Sequence, residues 1–89
     1  MWTVYILLCD QKTYYVGLTS NVKYRLKSHR KKKNIATKEF SDLILIYTEK
    51  YNTRKEAGKR ESQIKKWTKA KKKALIEGDI ELLRKLSKS

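Results

Sequence analysis

The chain has 89 residues, with 23 Lys and Arg against 9 Asp and Glu, which gives a formal net charge of +14. This length predicts a single domain over residues 1–89 with one modest core. So many like charges repel one another in a compact body and destabilise it. The charge is therefore expected to serve binding to a polyanionic partner, DNA or another nucleic acid. One cysteine and one histidine exclude an intramolecular disulfide and a zinc-ligand spacing.

Membrane and secretory classes are excluded by the apolar runs. The longest such run, Val4 to Cys9, is six residues, far short of the roughly 20 that cross a bilayer. No basic segment precedes an apolar stretch at the N-terminus, so no signal peptide is expected. The chain is therefore expected to be cytoplasmic, without a membrane partner.

The first part of the chain predicts a β-hairpin followed by a helix. Trp2 to Cys9 is apolar on both faces, as in a central strand. Asp10 to Thr13 favours a turn, and Tyr14 to Leu18 indicates the returning strand. A helix then follows to about Lys32, and Asn21 is placed to cap it, with Ser20 as the neighbouring alternative.

The second part predicts one strand and then helices. Leu43 to Thr48 is a third strand, and Thr53 opens a capping box that starts a helix to about Trp67. Lys69 to Glu77 continues as helix up to Gly78, and one or two amphipathic turns follow. The order β-β-α-β-α-α predicts an α+β fold, a small three-stranded antiparallel sheet flanked by helices.

Two segments concentrate positive charge. Lys23 to Lys33 holds seven Lys and Arg and no acid, and Lys65 to Lys73 holds six more. One such run alone is typical of a solvated face, whereas two in a chain of this charge favour a surface for a phosphate backbone. The candidate nucleic-acid contacts are Gly17, Lys23, Lys27, Arg30, Lys31, Lys32, Lys33, Lys38, Lys65 and Lys66.

Polar residues occupy inward positions of the first predicted helix. Helical spacing puts Arg25 and His29 on the same stripe as Val22 and Leu26, which a surface helix turns toward its core. Arg25 is alternatively a residue at the edge of the stripe whose long side chain reaches solvent, and His29 a satisfied interior histidine.

The next amphipathic helix carries a carboxylate in its apolar stripe. Glu61 falls between Ala57 and Ile64 on the inward face. A carboxylate there has to be paired, protonated or bound to a cation, because an unpaired buried charge is costly. Two interpretations stay open: a structural ion pair with Arg25, or a divalent-metal ligand beside a phosphate-stabilising arginine.

The predicted hairpin brings two tyrosines and a glycine into proximity. Tyr5 and Tyr15 fit one face of the sheet, although each alone is typical of core packing. Gly17 follows Tyr15 on the same face, and a glycine inside a strand marks a bulge or a close approach.

Taken in order, these residues resemble the GIY-YIG endonuclease family, and in particular its small stand-alone bacterial branch, the excinuclease N-terminal-domain-like proteins. Val4-Tyr5-Ile6 and Tyr15-Val16-Gly17 stand at the two name-giving motifs, with Val4 in place of the first glycine. Asn21 to His29 is similar to the third motif, and Arg60-Glu61 to the segment with the metal-binding glutamate. The resemblance covers about residues 2–74.

The resemblance implies a DNA endonuclease that hydrolyses phosphodiester bonds with Mg²⁺ or Mn²⁺, in DNA repair or processing. Glu61 would then hold the ion, and Arg25 would stabilise the charge on the scissile phosphate. Tyr5 would take the proton of the attacking water, as a phenolate whose pKa is lowered by cationic surroundings. Which of Tyr5, Tyr15 and His29 is the base stays open, so the implied catalytic set is Tyr5, Tyr15, Arg25, His29 and Glu61.

Two alternatives compete with an enzyme. A non-catalytic basic nucleic-acid-binding module explains the charge but gives no reason for Glu61, and an interaction module would dock through Ile80 to Leu86. No base-reading domain is recognisable in the sequence. A nuclease of this kind is therefore expected to select its DNA by structure or by single-strandedness rather than by sequence. Tyr24 and Phe40, beside the first basic run, are candidates for stacking on bases, although Phe40 also fits a core position.

Overall fold

The computed structural model of the chain describes residues 1–32 and 37–87. Within these ranges, three strands and four helices follow one another as β1 (Trp2–Cys9), β2 (Thr13–Thr19), α1 (Val22–Arg30), β3 (Leu43–Tyr51), α2 (Arg54–Lys65), α3 (Lys69–Glu77) and α4 (Ile80–Ser87). The strands form one antiparallel sheet in the order β2-β1-β3. The predicted α+β class is confirmed, and the amphipathic turns expected at the end form a full fourth helix.

Strand β1 lies at the centre of the sheet because both of its faces are apolar. Val4 and Ile6 are fully buried in the cluster that contains Ile64 of α2. Leu7, on the opposite face, packs in a second cluster that includes Leu26 of α1. Helices therefore lie on both faces, and α1 covers the face that carries the odd-numbered residues of β1. None of the described helices is long and apolar enough to span a bilayer.

Side-chain caps fix where the site-bearing helices begin. The Asn21 Oδ1 accepts the Tyr24 N–H at 3.0 Å, which confirms Asn21 as the cap of α1. The Thr53 Oγ1 accepts the Glu56 N–H at 3.2 Å and its hydroxyl donates to the Glu56 carboxylate at 2.9 Å. These caps set the register with which α1 and α2 turn their inward residues toward the sheet.

The β1–β2 turn uses two left-handed residues that are not glycine. Asp10 has φ 50° and Gln11 has φ 59°, at the two central positions of the turn that the Lys12 N–H closes on the Cys9 carbonyl at 3.2 Å. The Asp10 carboxylate accepts the N–H groups of Ser41 and Asp42 at 2.9 and 2.8 Å. These bonds offset the cost of the left-handed backbone at the turn and attach the turn to the segment that enters β3.

Candidate active site

A buried hydrogen-bonded chain joins β1, α1 and the segment after it. The Tyr5 Oη lies 2.8 Å from His29 Nε2, and His29 Nδ1 lies 2.6 Å from Thr37 Oγ1. Tyr5 is 3% exposed, and His29 and Thr37 are fully buried. In a neutral imidazole one nitrogen donates and the other accepts, so both neighbours of His29 are engaged whichever tautomer is present. His29 is thus a satisfied interior histidine that is also bonded to a tyrosine of the GIY-YIG-like motif.

Tyr15 completes an aromatic group around His29. The strand register pairs Tyr5 with Gly17 and Leu7 with Tyr15, so the two tyrosines are diagonal neighbours on one face. Their ring centroids are 6.3 Å apart, and the Tyr15 ring lies 5.2 Å from that of His29. The prediction that both tyrosines share a face is confirmed.

Gly17 is explained by close approach rather than by a bulge. The β1–β2 register continues through Gly17 without a shift. A Cβ built on Gly17 would lie 2.3 Å from both Cζ and Oη of Tyr5. Gly17 is buried beneath the phenol ring, so the structure gives it a packing role rather than a surface for nucleic acid.

The phenol of Tyr5 does not have the lowered pKa that its cationic surroundings predict. Burial raises the pKa of Tyr5, and Tyr15 adds to the rise; Arg25 opposes it, and Glu61 reinforces it. Burial also lowers the pKa of His29, and the charge of Arg25 lowers it further. Desolvation outweighs the single cation, so the expectation of a phenolate is wrong, and Tyr5 and His29 are both neutral near pH 7.

Arg25 lies beside this pair, and no carboxylate of the described residues pairs with it. Its half-buried side chain lines a narrow cavity with Tyr5 and Leu7, between α1 and the sheet. Across residues 1–32 and 37–87, the ion pairs join Arg60 to Glu49 and Lys65 to Glu61, and none joins Arg25 to Glu61. The alternative of a structural Arg25–Glu61 pair is therefore wrong, and the guanidinium charge is left for another anion.

Glu61 extends from α2 as a partly exposed carboxylate. Its side chain is 19% exposed, its Oε2 lies 3.6 Å from Lys65 Nζ, and its charge acts on the Tyr5 phenol. No group of three or more His, Cys, Asp or Glu side chains able to hold a metal occurs in the described part of the chain. A lone carboxylate does not fit a closed four-ligand site, but it fits Mg²⁺, which keeps several waters and is often bound by one carboxylate plus substrate phosphates.

The residue next to Glu61 attaches α2 to β3. Arg60 donates from Nε to Glu49 Oε1 at 2.9 Å and from Nη2 to Oε2 at 3.0 Å. Tyr51 donates to the same carboxylate at 2.6 Å, and Tyr47 donates to its other oxygen. This bidentate pair holds the helix that presents Glu61 against the edge of the sheet.

Sequence reasoning missed Glu49 and Thr37. A signal for Glu49 was present: Tyr47 and Tyr51 lie two residues before and after it, and the alternation of side chains along a strand places all three on one face. Thr37 lies in an irregular segment, where no periodicity marks an inward residue, so its bond to His29 had no sequence signal.

The predicted phosphate contacts that the structure describes, Gly17 aside, are exposed cations on α1, in the segment after it and at the end of α2. Lys65 also belongs to the candidate site, because it contacts Glu61. Lys32 donates from Nζ to the Phe40 carbonyl. Lys33 lies outside the described residues. The exposed members are Lys23, Lys27, Arg30, Lys31, Lys32, Lys38, Lys65 and Lys66.

Comparison with known proteins agrees with this arrangement. The model of the GIY-YIG catalytic domain matches residues 1–74, from β1 into α3. The chain therefore belongs to the GIY-YIG family of nuclease domains.

Similar proteins are small bacterial chains of comparable length. A UPF0213 protein of Syntrophus aciditrophicus is 40% identical over 80 residues, covering 88% of this chain and 92% of the relative. One from Staphylococcus haemolyticus is 35% identical over 75 residues, covering 83% and 92%. The solution structure of a UPF0213 protein from Bacillus halodurans superposes with a TM-score of 0.57 at 30% identity, covering 86% of this chain and 84% of that one.

Proposed function

We propose that the protein is a divalent-metal-dependent DNA endonuclease that hydrolyses phosphodiester bonds. Family membership gives the nuclease class. The observation that carries the proposal is the Tyr5–His29 hydrogen bond of 2.8 Å, formed by two neutral groups beside an arginine that pairs with no carboxylate among the described residues.

Tyr5 and His29 act together as the base. In the proposed tautomer the Tyr5 hydroxyl donates to His29 Nε2, and His29 Nδ1–H donates to Thr37. A lone pair of the Tyr5 oxygen then accepts the proton of the attacking water while the phenol proton passes to His29 Nε2. Hydroxide is formed without a phenolate, so the raised pKa of Tyr5 is compatible with the reaction.

Arg25 binds the scissile phosphate. A guanidinium donates two parallel hydrogen bonds to phosphate oxygens and stabilises the negative charge that develops as the bond to the leaving oxygen breaks. Burial lowers the pKa of His29 most, and the bound phosphate would offset the further lowering that the charge of Arg25 adds. Substrate binding therefore makes His29 a better proton acceptor.

Glu61 is the residue that would hold Mg²⁺ or Mn²⁺. Its carboxylate is partly exposed and its cationic neighbour Lys65 is half-exposed, so it is open to a ligand from solvent. The bound ion would supply neutralisation of charge on the phosphate and its leaving oxygen.

The exposed cations of α1, the segment after it and the end of α2 support selection of DNA by structure rather than by sequence. Most of these cations are lysines, which act as point charges on phosphates and carry little information about base edges. We propose that the enzyme acts on branched, nicked or single-stranded DNA in repair or processing.

The test is a cleavage panel of single-stranded, duplex, flap and junction DNA with Mg²⁺, Mn²⁺ or EDTA. We expect cleavage of at least one substrate that EDTA abolishes. Arg25→Ala should lower its rate by about 10²–10³ at matched DNA occupancy, and Arg25→Lys should recover it incompletely because an ammonium lacks the planar fork. Lys85→Ala, an exposed change in α4, is the matched control. DNA binding without cleavage of any substrate would leave the basic binding module as the function.

A further inference from the structure

An exposed aromatic side chain stands among the cations of α1. Tyr24 is 70% exposed. Lys27 and Ser28 follow it by one turn and Lys31 by two, and together they line a surface cavity of about 140 Å³. Helix α1 contains no acidic residue.

Packing does not explain Tyr24. The core under α1 is formed by Leu26 with Leu7 and Leu43, and it includes Phe40, the other aromatic residue singled out beside the basic run. Phe40 is therefore partly buried against this core, whereas Tyr24 presents its ring to solvent. Tyrosine is also a poorer helix former than lysine or glutamate, so its place on an exposed helical face brings no gain in local stability.

We infer that Tyr24 is a stacking platform for an unpaired base of the DNA substrate, with Lys27 and Lys31 on the adjoining phosphates. An aromatic ring in a basic groove is the arrangement that binds single strands, because every base offers a π-face. In an intact duplex those faces are covered by neighbouring base pairs. The inference rests on the proposed function for its ligand, which is the DNA strand that enters the site.

The place of Tyr24 on α1 indicates which base it would bind. Tyr24 is directly followed by Arg25, so their Cα atoms are about 3.8 Å apart. Their side chains leave the helix about 100° apart, with Arg25 turned toward Tyr5 and Tyr24 toward solvent. A base on Tyr24 therefore belongs to a nucleotide close to the phosphate that Arg25 contacts. This specifies the substrate as DNA with an unpaired nucleotide beside the scissile bond.

The test is a titration of DNA binding in the absence of divalent metal, followed by fluorescence anisotropy. A short oligothymidylate and a blunt-ended duplex without a loop, of equal nucleotide number, are the probes. Tyr24→Ala should weaken binding of the single strand by about 5- to 150-fold, the loss expected for one stacked base, and change duplex binding less than about twofold. Tyr24→Trp should restore single-strand binding. Ile80→Ala, which removes another exposed apolar side chain at 64% exposure, should change neither.

Two results overturn the inference. One is unchanged single-strand affinity in Tyr24→Ala, and the other is an equal loss for both probes, which would make Tyr24 a general contact. Because no metal is present and nothing is cleaved, these results are independent of nuclease activity. If the protein cleaves no DNA but shows the Tyr24-dependent preference for single strands, the proposed nuclease function is refuted and the proposed stacking site stands.

Discussion

The phenol ring of Tyr5 lies across Gly17, its partner on the neighbouring strand, so closely that a Cβ there would be 2.3 Å from the Tyr5 Oη. On its other side the same oxygen bonds His29 at 2.8 Å. The ring is held between a backbone without a side chain and a buried imidazole. Gly17 is thus what allows the phenol to reach His29.

Gly17→Ala is therefore expected to displace Tyr5. The ring is 3% exposed and bonded at its tip, so it cannot move aside without losing packing or the bond to His29. We expect a loss of about 1–3 kcal/mol in the free energy of unfolding, as for other overpacked cores, together with a large loss of cleavage. Urea denaturation and a cleavage time course measure the two effects.

Gly58→Ala is the matched control. Gly58 lies inside α2, and a Cβ there would meet nothing within 4 Å. Alanine should raise the free energy of unfolding by about 0.5–1 kcal/mol through helix propensity. Equal destabilisation by both substitutions would show that the Tyr5 contact is not what makes Gly17 necessary.

The buried imidazole predicts a pH dependence of stability. Burial, helped by Arg25, depresses the pKa of His29 in the folded protein below its usual 6.5. The unfolded chain then binds a proton first as pH falls, so His29 stabilises the fold above its unfolded pKa, and this is lost toward acid. The free energy of unfolding should fall between about pH 8 and about pH 5.5, and the fall should be smaller in His29→Gln. A flat profile for the native chain would contradict the depressed pKa.

Arg60 should be important for stability although it does not face the site. Burial alone would raise the pKa of Glu49, but the hydrogen bonds from Arg60, Tyr47 and Tyr51 outweigh it and the pKa is lowered. Arg60→Ala leaves that carboxylate without its cation and should cost about 1.5–3 kcal/mol. Thermal melts of Arg60→Ala, Glu49→Gln and the double variant test this, since a real pair predicts that the two losses are not additive.

Binding to DNA should depend steeply on salt. The exposed cations of α1 and the end of α2 would each displace counterions from phosphates, which gives a linear fall of log K with log salt. Replacing Lys27 and Lys31 together by alanine should reduce the slope by about 1–2. Titrations across a range of salt measure the slope, and replacing Arg84 and Lys85 in α4 is the control. A slope near zero for the native chain would rule out backbone contacts.

Local patterns predicted most of the fold. The run that is apolar on both faces predicted β1 at the centre of the sheet. The caps at Asn21 and Thr53 could be predicted because a capping side chain bonds to a residue within one helical turn. The shared face of Tyr5 and Tyr15 followed from strand alternation. Each of these depends on neighbours in sequence or on one tight turn.

The electrostatics of the site were not predictable in the same way. The pKa of Tyr5 depends on how deeply its ring is buried relative to its distance from Arg25, and no sequence pattern carries that balance. The absence of an ion pair between Arg25 and Glu61 in the described chain depends on tertiary geometry too. Thr37 reaches His29 from an irregular segment, so only the fold shows it.

Glu61→Gln tests the central claim, metal-dependent cleavage at the Tyr5–Arg25–Glu61 site, most directly. Among the described residues the carboxylate forms an ion pair with a half-exposed lysine, and such surface pairs add little stability. The melting temperature should therefore be unchanged or slightly raised, DNA binding should be retained, and Mg²⁺-dependent cleavage should be lost. A melting curve, a binding titration and a cleavage time course on one preparation give all three. Cleavage that survives the substitution at the native rate would contradict the account.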